Sequence, residues 1–413
     1  MKKRKQRSRS ADRREPPQDK QTASEIVEVT IERLLPGGAG LAHADGRTLL
    51  VALAAPGDRV RVLIERVQGR MGFASIVEIV SPSHQRIEPA CPYFGRCGGC
   101  DFQQLSYDAQ LSSKVEIIRD CLRRIARIDF AGDIPITASP DIWSYRSRAQ
   151  WQHDPQRMRL GYFERASHRV CDVAECPVLV PSLEATLESL RAQMKEGLLP
   201  DGMTELQAVA GSEGSSLAPP VRDHPTREVS RRIGGYRYRF SAESFFQINH
   251  ELLEPLIAAA LLSAEGETAI DLYCGAGLFT LPLARSFNRV TGVESSAAAI
   301  NYARLNLADA QLDNADFEIA GVGDWLTENA KERAPVDFVL LDPPRAGAEG
   351  AAVEGILKLK PRRIAYVSCD PATLARDLRA LTGGGYRLDS LSAFDMFPQT
   401  HHVETVALLK AQS

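Results

Sequence analysis

The stretch Glu267-Thr268-Ala269-Ile270-Asp271-Leu272-Tyr273-Cys274-Gly275-Ala276-Gly277 decides the fold. Its first six residues read as a strand, and its glycines let the backbone turn sharply and approach a ligand closely. Leu278 to Phe287 then reads as a helix, Val290-Thr291-Gly292-Val293-Glu294 as a second strand, and Ala297 to Leu307 as a second helix. Val336 to Leu341 and Arg363 to Val367 are further apolar strands. Strands alternating with helices mean a parallel sheet covered on both faces. Residues 241–413 are therefore expected to be α/β, a doubly wound Rossmann-like domain. Ligands of such sheets bind at the carboxyl ends of the strands. Glu294 ends the second strand about twenty residues past the glycine turn, where a carboxylate accepts hydrogen bonds from ribose hydroxyls. The third glycine of a dinucleotide fingerprint is missing, so the turn alone is a weak signal.

Asp342-Pro343-Pro344-Arg345 ends the fourth strand. A glycine turn, an acidic end to strand two and this motif together favour S-adenosylmethionine over NAD as the nucleoside ligand. Tyr366-Val367-Ser368-Cys369-Asp370-Pro371 ends the fifth strand, and Pro371 is placed to begin a helix. Cys369 is thus expected at the sheet's carboxyl edge, beside a helix N-terminus that favours a thiolate. A lone cysteine is more often a small buried hydrophobe, but this one lies at the expected cleft.

Upstream, Cys91-Pro92-Tyr93-Phe94-Gly95-Arg96-Cys97-Gly98-Gly99-Cys100 gathers three of the eight cysteines. Such a run points to metal or cluster binding. Zinc accepts three or four cysteines and iron–sulfur clusters four. Cys121, Cys171 and Cys176 are the candidates for a fourth ligand.

Further out, residues 22–83 read as a small β-barrel. Val27, Val29 and Ile31 alternate with polar residues, as do Val60, Val62 and Ile64; Leu49-Leu50-Val51 and Ile76 to Val80 are apolar runs, and Asp45-Gly46 is a hairpin signal. Five short strands are expected, with Arg59, Arg61, Arg66 and Arg70 as a basic rim. Residues 84–240 form a central region of mixed α+β character. In it Tyr145-Arg146-Ser147-Arg148 and Trp151 suit base stacking and phosphate pairing, and 211–231 reads as a loop or linker. Residues 1–21 are basic, polar and aperiodic, and are expected to be a disordered tail or an arm on phosphates.

The whole chain has 413 residues, 44% hydrophobic, with a formal net charge of -3. It carries no overall basic field, so nucleic-acid binding must come from local patches. No apolar run is long enough for a membrane span, and no signal-peptide core follows Met1. A cytoplasmic monomer is expected.

Five stretches resemble the RNA uracil-5-methyltransferases: Ser244 to Asn249, Asp271 to Gly277, Asp342 to Gly347, Ser368 to Thr373, and His402-Val403-Glu404-Thr405-Val406. The barrel resembles the TRAM domain, an OB-like RNA-binding module. The resemblance implies methyl transfer from S-adenosylmethionine to carbon 5 of a uracil, with Cys369 as nucleophile and Glu404 as base. It implies cofactor contacts at Gln247, Tyr273, Glu294 and Asp342. Members that also carry a TRAM domain bind a [4Fe–4S] cluster; by that likeness the ligands are Cys91, Cys97, Cys100 and Cys176. The combination is most like the 23S ribosomal RNA members, with tRNA as the alternative. Leu278, Gly321 and Asp370 depart from the family pattern, and no contact is assigned to them. An amino-methyltransferase of adenine or guanine would usually carry an aromatic where Arg345 stands, and would have no use for Cys369 and Glu404. A non-catalytic RNA-binding iron–sulfur protein would not need them either.

Overall fold

Alternate residues of the glycine-turn strand face opposite hydrophobic cores. Ile270 and Leu272 join one buried cluster and Ala269 the other, as the period of two requires. This strand, β1 (Gly266–Leu272), is the third from one edge of an eight-stranded sheet. The computed structural model describes residues 25–412; the basic tail at 1–21 lies outside them.

The sheet continues with β2 (Phe287–Glu294), β3 (Ala315–Ile319), β4 (Phe338–Leu341), β5 (Arg363–Ser368), β6 (Tyr386–Phe394) and β7 (Glu404–Ala411). Their order is β3-β2-β1-β4-β5-β7-β6. The first five in that row are parallel, and β7 enters antiparallel to β5. The two-residue strand Ile136–Thr137 adds to the β6 edge. One face is covered by α1 (Tyr107–Cys121), α4 (Val322–Arg333), α5 (Gly350–Leu359) and α6 (Pro371–Gly383). The other carries α2 (Thr280–Ser286) and α3 (Ala297–Asp309). Helix α1 lies far upstream in sequence, yet its Ile117 and Ile118 pack with Leu374 and Leu378 of α6. The central region therefore contributes a layer to this sheet.

The N-terminal sheet wraps around Val29, Ile31, Leu49, Val51, Val60, Val62 and Ile64, all buried. It has six strands rather than five, because Gly40–Ala44 and the two-residue Arg33–Leu34 also pair. Asp45 and Gly46 both take positive φ, 49° and 72°, as a tight hairpin demands. Two arginines of the expected basic rim are paired, Arg59 and Arg61 with Glu28 and Arg61 also with Glu78, while Arg66 lies over the Phe73 ring with its charge kept.

The central region has its own five-stranded sheet with the helix Pro181–Lys195 packed on it. Two expectations fail here. Residues 211–231 are not a linker: Gly214–Ala218 pairs with Glu205–Gly211, and Val229–Ile233 opens a hairpin. Ser216 and Leu217 are fully buried, and their small polar neighbours had hidden the strand. Trp151 is 0% exposed and packs in the core, so it offers no face to a base. Arg148 turns inward too, donating to the Ser244 and Ala242 carbonyls.

Candidate active site

The glycine turn closes β1 with Tyr273 at φ 63°, Gly275 at 54° and Gly277 at 86°. Left-handed backbone at a tyrosine costs on the order of 1–3 kcal/mol and is held only where surroundings impose it. At Gly277 a Cβ would come within 3.1 Å of Leu281, so the bare glycine lets α2 start close to the strand. Glu294 is fixed at the end of β2: its carboxylate accepts from the Ser296 amide at 2.8 Å and the Gly275 amide at 3.3 Å. Asp342 follows β4 and accepts from Gln247 Nε2 at 3.2 Å. Burial pushes Asp342 up to about 7, while the Gln247 bond pulls it down. The four sequence-selected residues Gln247, Tyr273, Glu294 and Asp342 therefore flank the carboxyl ends of β1, β2 and β4. The buried Tyr273 hydroxyl and Asp271 Oδ1 have no partner. Leftover polar atoms beside a glycine turn fit a polar nucleoside ligand.

The positions without an assigned contact have local roles. Asp370 caps α6, accepting from the Ala372 and Thr373 amides, both at 2.9 Å. The Leu278 carbonyl accepts from Tyr238 Oη. Gly321 precedes α4 as its N-cap.

Ser368 of β5 pairs with Thr405 of β7. The next positions in that antiparallel register are Cys369 and Glu404. The topology thus sets these residues side by side at the sheet's carboxyl edge. Glu404 is 1% exposed, and its Oε1 has no partner. Burial raises its pKa, the nearby Asp342 raises it further, and Arg345 opposes both. Burial likewise pushes the Cys369 thiol up to about 12, with Glu404 adding to the rise and Arg345 again opposing it. Desolvation and the facing carboxyl oppose the thiolate that the helix N-terminus favours. Arg345 and Phe245 escaped the sequence reading as site residues. Arg345 is the cation nearest in effect to both partners, and Phe245 stays 59% exposed beside buried Phe246 and Gln247. An exposed aromatic within a motif otherwise buried is a signal only burial reveals.

A test follows from the sign of the Cys369 shift. A raised pKa keeps the thiol neutral at physiological pH, so alkylation needs base. In ligand-free protein, iodoacetamide labelling of Cys369, read by peptide mass spectrometry, should rise roughly tenfold per pH unit from about pH 7 to 10. Glu404→Gln should speed it at any fixed pH. A plateau near an ordinary thiol's value, about 8.5, would contradict this electrostatic account.

Cys91, Cys97, Cys100 and Cys176 line one small recess, together with Arg146 and Tyr162. All four are free thiols, while Cys121 and Cys171 are buried and do not line the recess, Cys171 packing in the same core cluster as Cys97 and Cys176. Among the described residues, no three His, Cys, Asp or Glu side chains are gathered closely enough to hold a single metal ion. Arg146 points into the recess instead of toward RNA: burial lowers its pKa, but Tyr145, Tyr162, Cys100 and Cys176 raise it on balance, and its Nε lacks a partner. A buried guanidinium facing thiols fits an anionic, thiolate-bound group in the recess.

The comparisons agree with this geometry. The family described as tRNA (Uracil-5-)-methyltransferase matches residues 223–412, and the TRAM domain matches 20–77. A 23S rRNA (uracil(1939)-C(5))-methyltransferase of Pectobacterium atrosepticum is 33% identical over 92% of this chain and 92% of its own. A relative of the same description from Methylococcus capsulatus is 32% identical over 94% of this chain and 97% of its own. The crystal structure of the Pyrococcus abyssi tRNA (uracil-54, C5)-methyltransferase with S-adenosyl-L-homocysteine superposes with a TM-score of 0.71. It is 28% identical and covers 93% of this chain and 100% of that one. With a glycine turn at the carboxyl edge of a parallel sheet and whole-length likeness to such enzymes, the chain belongs to the S-adenosylmethionine-dependent RNA uracil-5-methyltransferase family.

Proposed function

We propose that this protein methylates carbon 5 of a uridine in 23S ribosomal RNA, with Cys369 as nucleophile and Glu404 as general base. The observation that carries the reading is the β5–β7 register, which sets the two residues side by side. Carbon 5 of uracil is a poor nucleophile. Addition of the Cys369 thiolate to carbon 6 forms an S–C6 bond and moves the C5–C6 π electrons toward O4, leaving an enolate whose carbon 5 is nucleophilic. S-adenosylmethionine, when bound, supplies an electrophilic methyl group there. Glu404 as carboxylate then takes the carbon 5 proton, the C–H electrons restore the C5–C6 double bond, and the S–C6 bond breaks to release the cysteine. Gln247 and Asp342 are read as orienting the cofactor end nearest the reacting carbons, and Tyr273 and Glu294 as holding its nucleoside. Arg345 favours the anionic forms of Cys369 and Glu404, which the cycle needs in turn.

The Cys91, Cys97, Cys100 and Cys176 recess is read as a [4Fe–4S] site. Burial pushes Cys97 and Cys100 up to about 12, so only a cationic group would draw off their protons at neutral pH. A four-thiolate cluster carries net negative charge, which Arg146 would balance. Iron and sulfide analysis after anaerobic purification should give about four of each per chain; stoichiometric zinc without sulfide would overturn the assignment. On this reading residues 22–83 grip RNA, 84–240 hold the cluster and 241–413 carry out the transfer, in a cytoplasmic monomer. No helix among the described residues is long and apolar enough to cross a membrane.

The deciding experiment uses transcripts containing 5-fluorouridine. Fluorine leaves carbon 5 with no proton to lose, so the protein and S-adenosylmethionine should form a denaturation-resistant adduct with 23S rRNA fragments. Adduct on tRNA transcripts alone would move the substrate to tRNA, as the Pyrococcus abyssi likeness allows. No adduct on either would sink the mechanism.

A further inference from the structure

The turn that delivers Glu404 is held from outside by the chain that leaves the cysteine run. Asp101 directly follows Cys100. Its Oδ1 accepts the His401 amide at 2.8 Å, and its Oδ2 lies 2.5 Å from His401 Nδ1. The amides of Asp101 and Phe102 both donate to the Gln399 carbonyl, at 3.1 and 3.0 Å. Gln110 of α1 completes the clamp: it donates to Gln399 Oε1 at 3.1 Å and accepts the Gln399 amide at 2.9 Å. The barrel closes the same spot. At Gly38 (φ 79°) a Cβ would come within 3.1 Å of His401 Cβ and 3.3 Å of Asp101 Oδ2. Glu404 itself has no bond at Oε1 to fix its carboxylate. Its aim is therefore set by the backbone of the preceding turn, and Asp101 grips that turn three residues upstream.

We propose that Asp101 is a positioning residue for Glu404, so that the cysteine loop governs proton removal and cysteine release rather than nucleophilic addition. The inference rests on the reading of Glu404 as base. Cys369 hangs from β5 and α6, whose backbones take no bond from residues 99–102, so the clamp acts directly on the Glu404 turn and reaches Cys369 only through the β5–β7 pairing.

The test separates the two halves of the reaction in the full-length protein. Asp101→Ala should form adduct with 5-fluorouridine RNA at the wild-type rate. With ordinary RNA it should release carbon 5 tritium about 10²-fold more slowly, the scale of a small misplacement of a catalytic group. Adduct should accumulate, and kcat and KM for RNA should fall together, leaving kcat/KM unchanged. Asp101→Asn keeps an acceptor for the His401 amide and should recover most of the rate. Should Asp101→Ala be insoluble, His401→Ala and Asp101→Asn carry the test, each slowing tritium release several-fold with adduct formation intact. Unchanged tritium release, or adduct formation falling in step with it, would overturn the proposal. Glu404→Gln run in parallel tells the failures apart: if it accumulates adduct and the Asp101 variants do not, the coupling is wrong; if it does not, the base is misassigned.

Discussion

Glu404→Gln is expected to stop after methyl transfer and remain covalently joined to its RNA. Glutamine fills the same space in a pocket where Glu404 is almost wholly buried, so the fold and the cleft persist. What is lost is the carboxylate that takes the carbon 5 proton in the proposed mechanism, and general-base catalysis of this kind is worth about 10²–10⁴-fold. Addition should not slow, because Glu404 is one of the groups that hold the Cys369 proton in place. Gel-shifted protein on ordinary, unfluorinated RNA, with the methyl group present on the base, is the expected signature. Cys369→Ala must behave differently. It should give no adduct on any RNA, and turnover should drop by roughly 10⁶-fold, the scale of removing a covalent nucleophile. A Glu404→Gln protein that turns over normally, or an adduct that survives in Cys369→Ala, would contradict the pairing of roles read from the β5–β7 register.

That register marks the limit of what the sequence discloses. Four of the five parallel strands were legible because each is a short apolar run ended by a residue proposed for the site, Tyr273, Glu294, Asp342 or Cys369; the fifth, Ala315–Ile319, ends in none of these and was not read. A buried parallel strand has few other ways to read. Glu404 was not legible on the same grounds. It lies thirty-five positions beyond Cys369 and begins a strand that enters the sheet in reverse; by pattern alone it resembles a solvated strand residue. Only the family resemblance singled it out, and the topology then supplied the physical reason. The turn ahead of it was harder still. Asp101, Gln110 and His401 are unremarkable in sequence, and their contacts span some three hundred positions. The failures have the opposite cause. Trp151 and Arg148 carry the composition of an RNA-binding face, but the aromatic was recruited to a core and the guanidinium to backbone carbonyls. Composition records which groups are present and not which way they turn.

Lys114→Met should destabilise the protein by about 3–5 kcal/mol, the cost of leaving a buried charge without its partner. Lys114 of α1 and Asp395 are both 0% exposed and meet at 2.5 Å, and Lys114 also donates to the Phe397 carbonyl at 3.1 Å. Burial lowers the lysine's pKa, and Asp395 resists the fall. The variant strands a carboxylate whose Oδ2 already lacks a partner. A drop of about 10 °C in the thermal midpoint of the catalytic domain follows for a domain of this size. Lys114→Met combined with Asp395→Asn removes both charges and should recover most of the loss, since an ion pair this deep adds little over a neutral replacement. A single variant as stable as wild type would mean that the pair is neutralised by proton transfer. If the double variant is stable but slow, the pair is retained for geometry. Asp395 begins the turn that ends at Glu404, and Lys114, Gln110 and Asp101 hold its start, middle and end from one side. A rigid mount for Glu404, whose Oε1 has no partner, is then what the pair provides beyond stability.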